Sequence, residues 1–284
     1  MSGRLDAPAH GRAALAARFA RLHRPGRPLL MPNAWDAGSA RLLESMGFAA
    51  VATTSSGFAA TLGRLDGSVS REEALEHAGA IVRAVHVPVS ADLESCFASD
   101  AEGVAQTARG AVAAGLAGFS IEDHTGDPRD PIYPLEVAAG RVAAAVAVAH
   151  DAPVPLVVTA RAENHLHGRE DLDDTIARLR AYRRAGADVL YAPGPTDPRQ
   201  IAAIVAAVDA PVNVLVRAGS PTVAELAKLG VARISVGGGF AFAALAAAER
   251  AARELRDHGT QSWTEAASAG SRAARAAFAR SAER

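Results

Sequence analysis

Two carboxylates, Asp92 and Glu94, close the apolar run that begins at Val87. Glu122, Asp123 and His124 close a second run, Ala117 to Ile121, and Arg161 and Glu163 close a third that begins at Val154. Acids do not belong inside a short buried strand, but its C-terminal tip accommodates them. Three strands that deliver charge at the same end point to one site on one face of a parallel sheet. Side chains alternate along a strand, so Asp92 and Glu94 are expected to face the same way. With Glu122 they would make an oxygen-rich cluster. Carboxylates that close repel one another unless a cation sits among them, and hard oxygen ligands with room for water suit Mg2+ or Mn2+. Arg161, across the mouth, carries a planar fork that matches a carboxylate or phosphate. Backbone N–H groups at Ser55-Ser56-Gly57, beyond another strand, can hold a second anionic group. Trp35 and Asn213 stand at further strand ends and are expected on the substrate side of the mouth.

Several neighbours have simpler roles open to them. Asp123 can cap or bond the backbone. His124 is either a rim residue or a proton carrier. His165 and His167 lie two apart, but no cysteine or carboxylate triad accompanies them as a zinc site would require. Cys96 reads as a small packed residue. The triplet Gly237-Gly238-Gly239 divides between close packing and an anion loop.

The elements that must position these groups follow a regular alternation. Strands are expected at 29–33, 49–54, 87–93, 117–121, 154–160, 189–191, 211–216 and 234–236. Each is followed by a helical stretch, and glycines 47, 115, 186 and 230 stop four of the helices. Ser70 with Glu73 three residues later forms a capping box for a helix reaching Ala84. Residues 55–66 read as a loop. Eight such units predict a (β/α)8 barrel, with a doubly wound open sheet as the less economical alternative. Leu15, Phe19 and Leu22 mark an N-terminal helix. The expected division is residues 1–27 as tail and helix, 28–258 as the barrel, and 259–284 as a C-terminal helical extension.

The chain of 284 residues has a formal charge of −1 and 49% hydrophobic residues, enough for one large core. A dedicated nucleic-acid binder would show a basic face, which this balance does not suggest. A single cysteine excludes an internal disulfide and fits a reducing cytoplasm. The sequence shows no signal peptide, and no apolar run of about 18 residues that would span a membrane.

Asn33-Ala34-Trp35-Asp36, Thr54-Ser55-Ser56-Gly57, Leu62 to Asp66, Ser90-Ala91-Asp92, Ile121-Glu122-Asp123 and Ala160-Arg161, in that order and spacing, resemble the isocitrate lyase/phosphoenolpyruvate mutase superfamily. The similarity covers residues 28–256 and is strongest to its small phosphonomutase-like branch. It implies a Mg2+-dependent enzyme acting on a small anionic carboxylate through an enolate. It places Asp92 and Glu122 on the metal-shell acids and Asp66 on another acid near the metal. Ser55, Ser56 and Gly57 fall on the keto-acid segment, and Arg161 on the carboxylate arginine. It also implies a homo-oligomer, a dimer or a tetramer with exchanged C-terminal helices.

This chain departs from the family pattern at informative points. Ser90 stands where the family has a metal-ligating aspartate, and Glu94 is the candidate replacement. The lyase cysteine after the Glu-Asp pair is absent, His124 replaces the mutase lysine, and Pro193 replaces the strand-six histidine. The expectation is a lyase or decarboxylase cleaving a C–C bond in a small 2-oxo or 2-hydroxy (di)carboxylic acid. Asp92, Glu94 and Glu122 would hold the metal, and His124, Arg161 and Asp66 would be catalytic. The alternatives are P–C bond chemistry, as in the mutases, or a barrel that has lost catalysis and serves as a scaffold.

Overall fold

Pro32 has no N–H to offer a sheet, and it divides the first strand of the barrel in two. In the computed structural model, which describes residues 9–279, β1 (Leu29–Met31) and β2 (Asn33–Ala34) flank that proline. The remaining strands are β3 (Val51–Thr53), β4 (Val89–Asp92), β5 (Gly118–Glu122), β6 (Val157–Arg161), β7 (Val189–Tyr191), β8 (Val212–Leu215) and β9 (Arg233–Ser235). All pairings are parallel. β1 pairs with β9 and β2 with β3, so the two halves of the broken strand close the ring. The nine segments thus form a (β/α)8 barrel, as expected, with the eighth-strand count restored once the Pro32 break is recognised.

The helices begin and end where local chemistry dictates. α1 is Ala9–Leu22, α2 Ala37–Ser45, α3 Ser55–Thr61, α4 Arg71–Ala84, α5 Ala101–Ala114 and α6 Leu135–Asp151. α7 is Leu172–Arg184, α8 Pro198–Ala207, α9 Val223–Lys228, α10 Gly239–His258 and α11 Thr264–Ala279. Ser70 and Glu73 form the expected capping box on α4, and Asp36 and Thr222 open α2 and α9 in the same way. Gly115 ends α5 in the left-handed conformation, where a Cβ would be strained.

One expectation is corrected. Residues 55–61 are not loop but helix α3, whose N-cap Thr54 accepts from the Gly57 N–H. Gly57 is there for close packing. A Cβ would stand 2.5 Å from the Thr54 methyl and 3.1 Å from Trp35 Cβ.

α1 plugs the N-terminal end of the barrel. Its Phe19 is fully buried against Leu29, Met31, Ala50, Ala52, Ala117, Val157 and Val189, a burial contributing roughly 2–3 kcal/mol. Gly118 leaves room for that ring, since a Cβ would lie 2.6 Å from the Val157 carbonyl oxygen and 2.9 Å from Phe19. At the other end of the chain, α11 packs on α2, with Phe278 beside Gly38. The reading of residues 1–9 as a tail falls, apart from Ala9, outside the described residues. No described helix is long and apolar enough to cross a membrane.

Candidate active site

Active groups of such barrels lie at the C-terminal ends of the strands. Here the sheet register sets Glu122 opposite Arg161, and Arg161 opposite Tyr191. Arg161 is the hub. Its Nη1 donates to Asp92 Oδ1 at 2.7 Å, its Nε to Glu163 Oε1 at 2.7 Å, and Nη2 lies 3.3 Å from Glu122 Oε2. The guanidinium carbon also lies 5.1 Å from the centre of the Tyr191 ring. Burial opposes the guanidinium's charge, but Glu163, Asp92 and Glu122 more than offset this and hold its pKa well above the usual range.

Asp92, Glu94 and Glu122, expected around one point, do not form a closed set of three ligands here. Among the described residues no three acids, histidines or cysteines gather closely enough to hold one ion. Two causes are visible. The Arg161 guanidinium lies between Asp92 and Glu122, and β4 ends at Asp92, so strand alternation does not carry on to Glu94. Glu94 has φ 49°, and Cys96 and Phe97 follow at 57° and 54°, a left-handed turn that disfavours side chains. Buried Arg141 pins this turn, donating to the carbonyls of Ser95, Ala98 (2.9 Å) and Glu122 (3.1 Å).

Glu94 nevertheless belongs electrostatically to the site. Burial, with Asp92 and Asp66 nearby, lifts its pKa to about 7. Burial likewise raises Glu122 and Glu163 against the pull of Arg161, and raises Asp66. Five carboxylates thus stand in the field of Arg161.

A cavity of about 170 Å³ opens from this point into the barrel. Of the expected residues, Ser55, Ser56, Asp66, Asp92, Arg161 and Asn213 line it. The remaining positions fall elsewhere. Gly57, within α3, is packed against Thr54, Trp35 and Ala241, and the Trp35 carbonyl accepts from His77 Nε2 at 3.0 Å. The N–H of Ser55 is engaged by Asp92 Oδ2 at 3.3 Å and that of Gly57 by Thr54, so within the 55–57 segment the N–H of Ser56 is left for a ligand. His124 sits half-buried at the rim. Its ring stacks on His167 at 4.0 Å, and its Nδ1 lies 3.9 Å from Glu122 Oε1. Burial and His167 lower its pKa, so it is neutral at pH 7 and able to accept a proton. Asp123 serves the framework. It accepts from Tyr182 Oη (2.6 Å), Arg178 Nη1 (3.1 Å) and the Glu163 N–H (2.8 Å). Cys96 is buried, and burial pushes its thiol up to about 12, which leaves no thiolate at neutral pH.

Asp92 bears on how a divalent ion would fit. Its four acceptor positions are taken by Ser55 N–H and Oγ on one oxygen, and by Ser120 Oγ and Arg161 on the other. Glu94 and Glu122 retain free oxygens. Mg2+ binds through one or two carboxylates and keeps several waters, so a closed ligand set is not required. The surplus of acid and the all-oxygen donors fit such an ion, and Glu94 and Glu122 are the residues that would hold it.

Sequence reasoning missed two residues at the inner end of the cavity. Arg233, the first residue of β9, lines the cavity, and His23, the residue that follows α1, stands behind it. Neither belongs to a motif, and only the closed barrel brings them together. His23 donates from Nδ1 to the Phe19 carbonyl at 3.0 Å, and Arg233 Nη1 approaches its Nε2 at 3.3 Å. Burial and Arg233 pull the His23 pKa down to about 3. As pH falls from about 6.5 toward 3, unfolded His23 gains a proton that the folded state refuses, so stability is lost over that window. His23→Gln keeps an acceptor and removes the titration. Its Tm is expected to fall less between pH 6.5 and 4.5 than that of the parent, as read by circular dichroism melts. Parallel slopes would refute this.

Residues 19–256 match the sequence profile of the family described as phosphoenolpyruvate phosphomutase. In solved structures the chain resembles a candidate lyase/mutase of Burkholderia cenocepacia J2315, at 52% identity and a TM-score of 0.88 over 91% of this chain and 93% of that one. It resembles oxaloacetate acetylhydrolase with bound oxalate at 26% identity and a TM-score of 0.80, over 88% and 89%. By sequence it is 34% identical to an uncharacterised Mycobacterium tuberculosis protein, covering 84% of this chain and 89% of that one. It is 31% identical to 2,3-dimethylmalate lyase of Eubacterium barkeri, covering 63% of each chain.

Proposed function

Since this chain belongs to the phosphoenolpyruvate phosphomutase family, within the isocitrate lyase/PEP mutase superfamily, we propose that it is a Mg2+-dependent lyase or decarboxylase. Its substrate would be a small 2-oxo or 2-hydroxy (di)carboxylic acid, cleaved at a C–C bond through an enolate. The observation that carries this reading is the acid surplus around Arg161 at the barrel mouth. Such a surplus suits a cation and, with it, an oxyanion. Two relatives, by their names, work on dimethylmalate and oxaloacetate, acids of this class.

Glu94 and Glu122 would hold Mg2+, which would supply Lewis-acid polarisation of a substrate oxygen. The protein's own side chains do the rest. Arg161 keeps Asp92, Glu122 and Glu163 apart and oriented, and the Ser56 N–H faces the carboxylate end of the substrate. His124, neutral and stacked on His167, accepts or returns the proton at Nδ1, its nitrogen nearest the acids. Exposed Phe240, Phe242 and Leu245 on α10 support self-association into a dimer or tetramer.

The test is release of pyruvate or glyoxylate from a panel of such acids with Mg2+, alongside phosphorus NMR of phosphonopyruvate. C–C cleavage is expected, and Glu122→Gln should lower kcat/KM by about 100-fold or more, the scale of losing electrostatic stabilisation in a buried site, while weakening Mg2+ binding. Turnover of phosphonopyruvate alone would give the protein to P–C chemistry. A full failure to bind Mg2+ with oxalate, by calorimetry, would favour a scaffold.

A further inference from the structure

Arg161 is surrounded by carboxylates, and Arg233 has none. Arg233 is 3% exposed and lines the inner part of the same cavity. Its Nε donates to Asn213 Oδ1 at 2.9 Å, and its Nη1 lies 3.3 Å from His23 Nε2. Both partners are neutral, since His23 is held unprotonated by burial. Among the described residues no acid lies within ion-pair distance of Arg233. A buried charge is ordinarily paired, because leaving water without a counter-charge is costly. An apolar residue in its place would fill the barrel interior at less cost. The expense is explained if the counter-charge arrives with a ligand.

The polar groups around Arg233 are arranged for that purpose. Asn213 spends its oxygen on Arg233 and its amide N–H on Ser235 Oγ, at 2.9 Å. Within this network the second terminal nitrogen of Arg233 has no acceptor. His23 Nδ1 is tied to Phe19, so the ring offers Arg233 only an acceptor. Burial and the field of Arg161 draw the Arg233 pKa down to about 10, which leaves it charged at neutral pH. At the outer end of the cavity the balance is reversed, with acids in excess. An anionic group entering this cavity meets its uncompensated positive charge at the inner end. The volume, about 170 Å³, is below the roughly 300–1,000 Å³ of pockets for drug-sized ligands, and suits a short organic acid.

We propose that Arg233, with Asn213 and Ser235 around it, anchors a second anionic group of the substrate, so that this barrel selects small acids carrying an anion at each end. The anchor names the substrate class of the lyase reading and rests on that reading for the reaction, though not for the binding. Arg233 is here a specificity-determining residue, and the chemistry stays at the outer end with Arg161 and the acids.

The test is calorimetric titration of the full chain, at fixed Mg2+, with malonate, succinate and glutarate against propionate, butyrate and valerate. At least one dicarboxylate is expected to bind about 10- to 100-fold more tightly than the monocarboxylate of equal carbon number, the range for a hydrogen bond to a charged group. Arg233→Met should erase that preference, and Arg233→Lys should keep part of it. A wild-type protein that does not distinguish the two series overturns the proposal, as does a folded Arg233→Met variant that keeps the preference. Should the methionine variant fail to fold, a crystal of the wild-type protein with its tightest dicarboxylate decides. A carboxylate on the Arg233 guanidinium supports the anchor, and one placed elsewhere refutes it. The lyase reading fails separately. Dicarboxylate binding that depends on Arg233, with no C–C cleavage of any acid, would retain the anchor and discard the reaction.

Discussion

Arg161→Met is expected to lower stability by about 3–5 kcal/mol at pH 7.5, the range for removing one partner of a buried ion pair, and by clearly less at pH 5. The guanidinium holds Asp92 and Glu163 at 2.7 Å and Glu122 at 3.3 Å, and methionine fills its volume without its charge. Burial already keeps the folded pKa values of Glu122 and Glu163 above the unfolded ones, with Arg161 pulling them down. Carboxylates raised in this way bind more protons in the folded state, so stability falls as pH rises through and beyond the unfolded value. Loss of Arg161 raises them further and steepens that fall. Toward pH 4 and below, the acids are protonated in both states and the penalty fades. Urea unfolding of parent and variant at the two pH values measures the difference. An equal loss at both would show that Arg161 acts through packing alone.

Asp123→Ala is expected to cost a similar 3–5 kcal/mol, but for a different reason. Asp123 is 2% exposed and receives Tyr182 Oη, Arg178 Nη1 and the Glu163 N–H. Alanine strands a buried hydroxyl and a buried N–H, each costing about 1–3 kcal/mol, and leaves Arg178 with Asp174 and the Tyr133 carbonyl. At about 2–4 °C per kcal/mol for a large domain, thermal melts should drop by roughly 6–20 °C. Asp123→Asn retains one acceptor and should fall between the two. Because Asp123 positions the backbone of Glu163, which in turn bonds Arg161, the alanine variant also tests whether the hub depends on this framework. A melting point within 2 °C of the parent, on the same scale, would mean that the network adds little.

The elements of the barrel were legible in the chain because their determinants are local. Apolar runs of strand length, Ser70 with Glu73, and the stops at Gly115 and Gly186 each act over a few residues, and each lies where it was expected. The 55–61 segment was misread because Ser-Ser-Gly is also turn chemistry. The helical outcome hangs on the Thr54 cap and on Trp35 packing against Gly57. The positions of Asp92, Glu122 and Arg161 at strand tips were readable for the same local reason, since a charge that ends an apolar run must emerge at its end.

What the charges do to one another was not readable, because it depends on distances between residues tens of positions apart. Sequence alone determined that acids and an arginine share one mouth of a (β/α)8 barrel. Only the closed barrel decided that Arg161 lies between the acids, that a left-handed turn after β4 carries Glu94 out of the strand's alternation, and that Arg233 meets His23 and Asn213 instead of a carboxylate. Coulomb interactions and burial belong to three-dimensional neighbours, and the order of residues along the chain does not specify those neighbours until the sheet has closed.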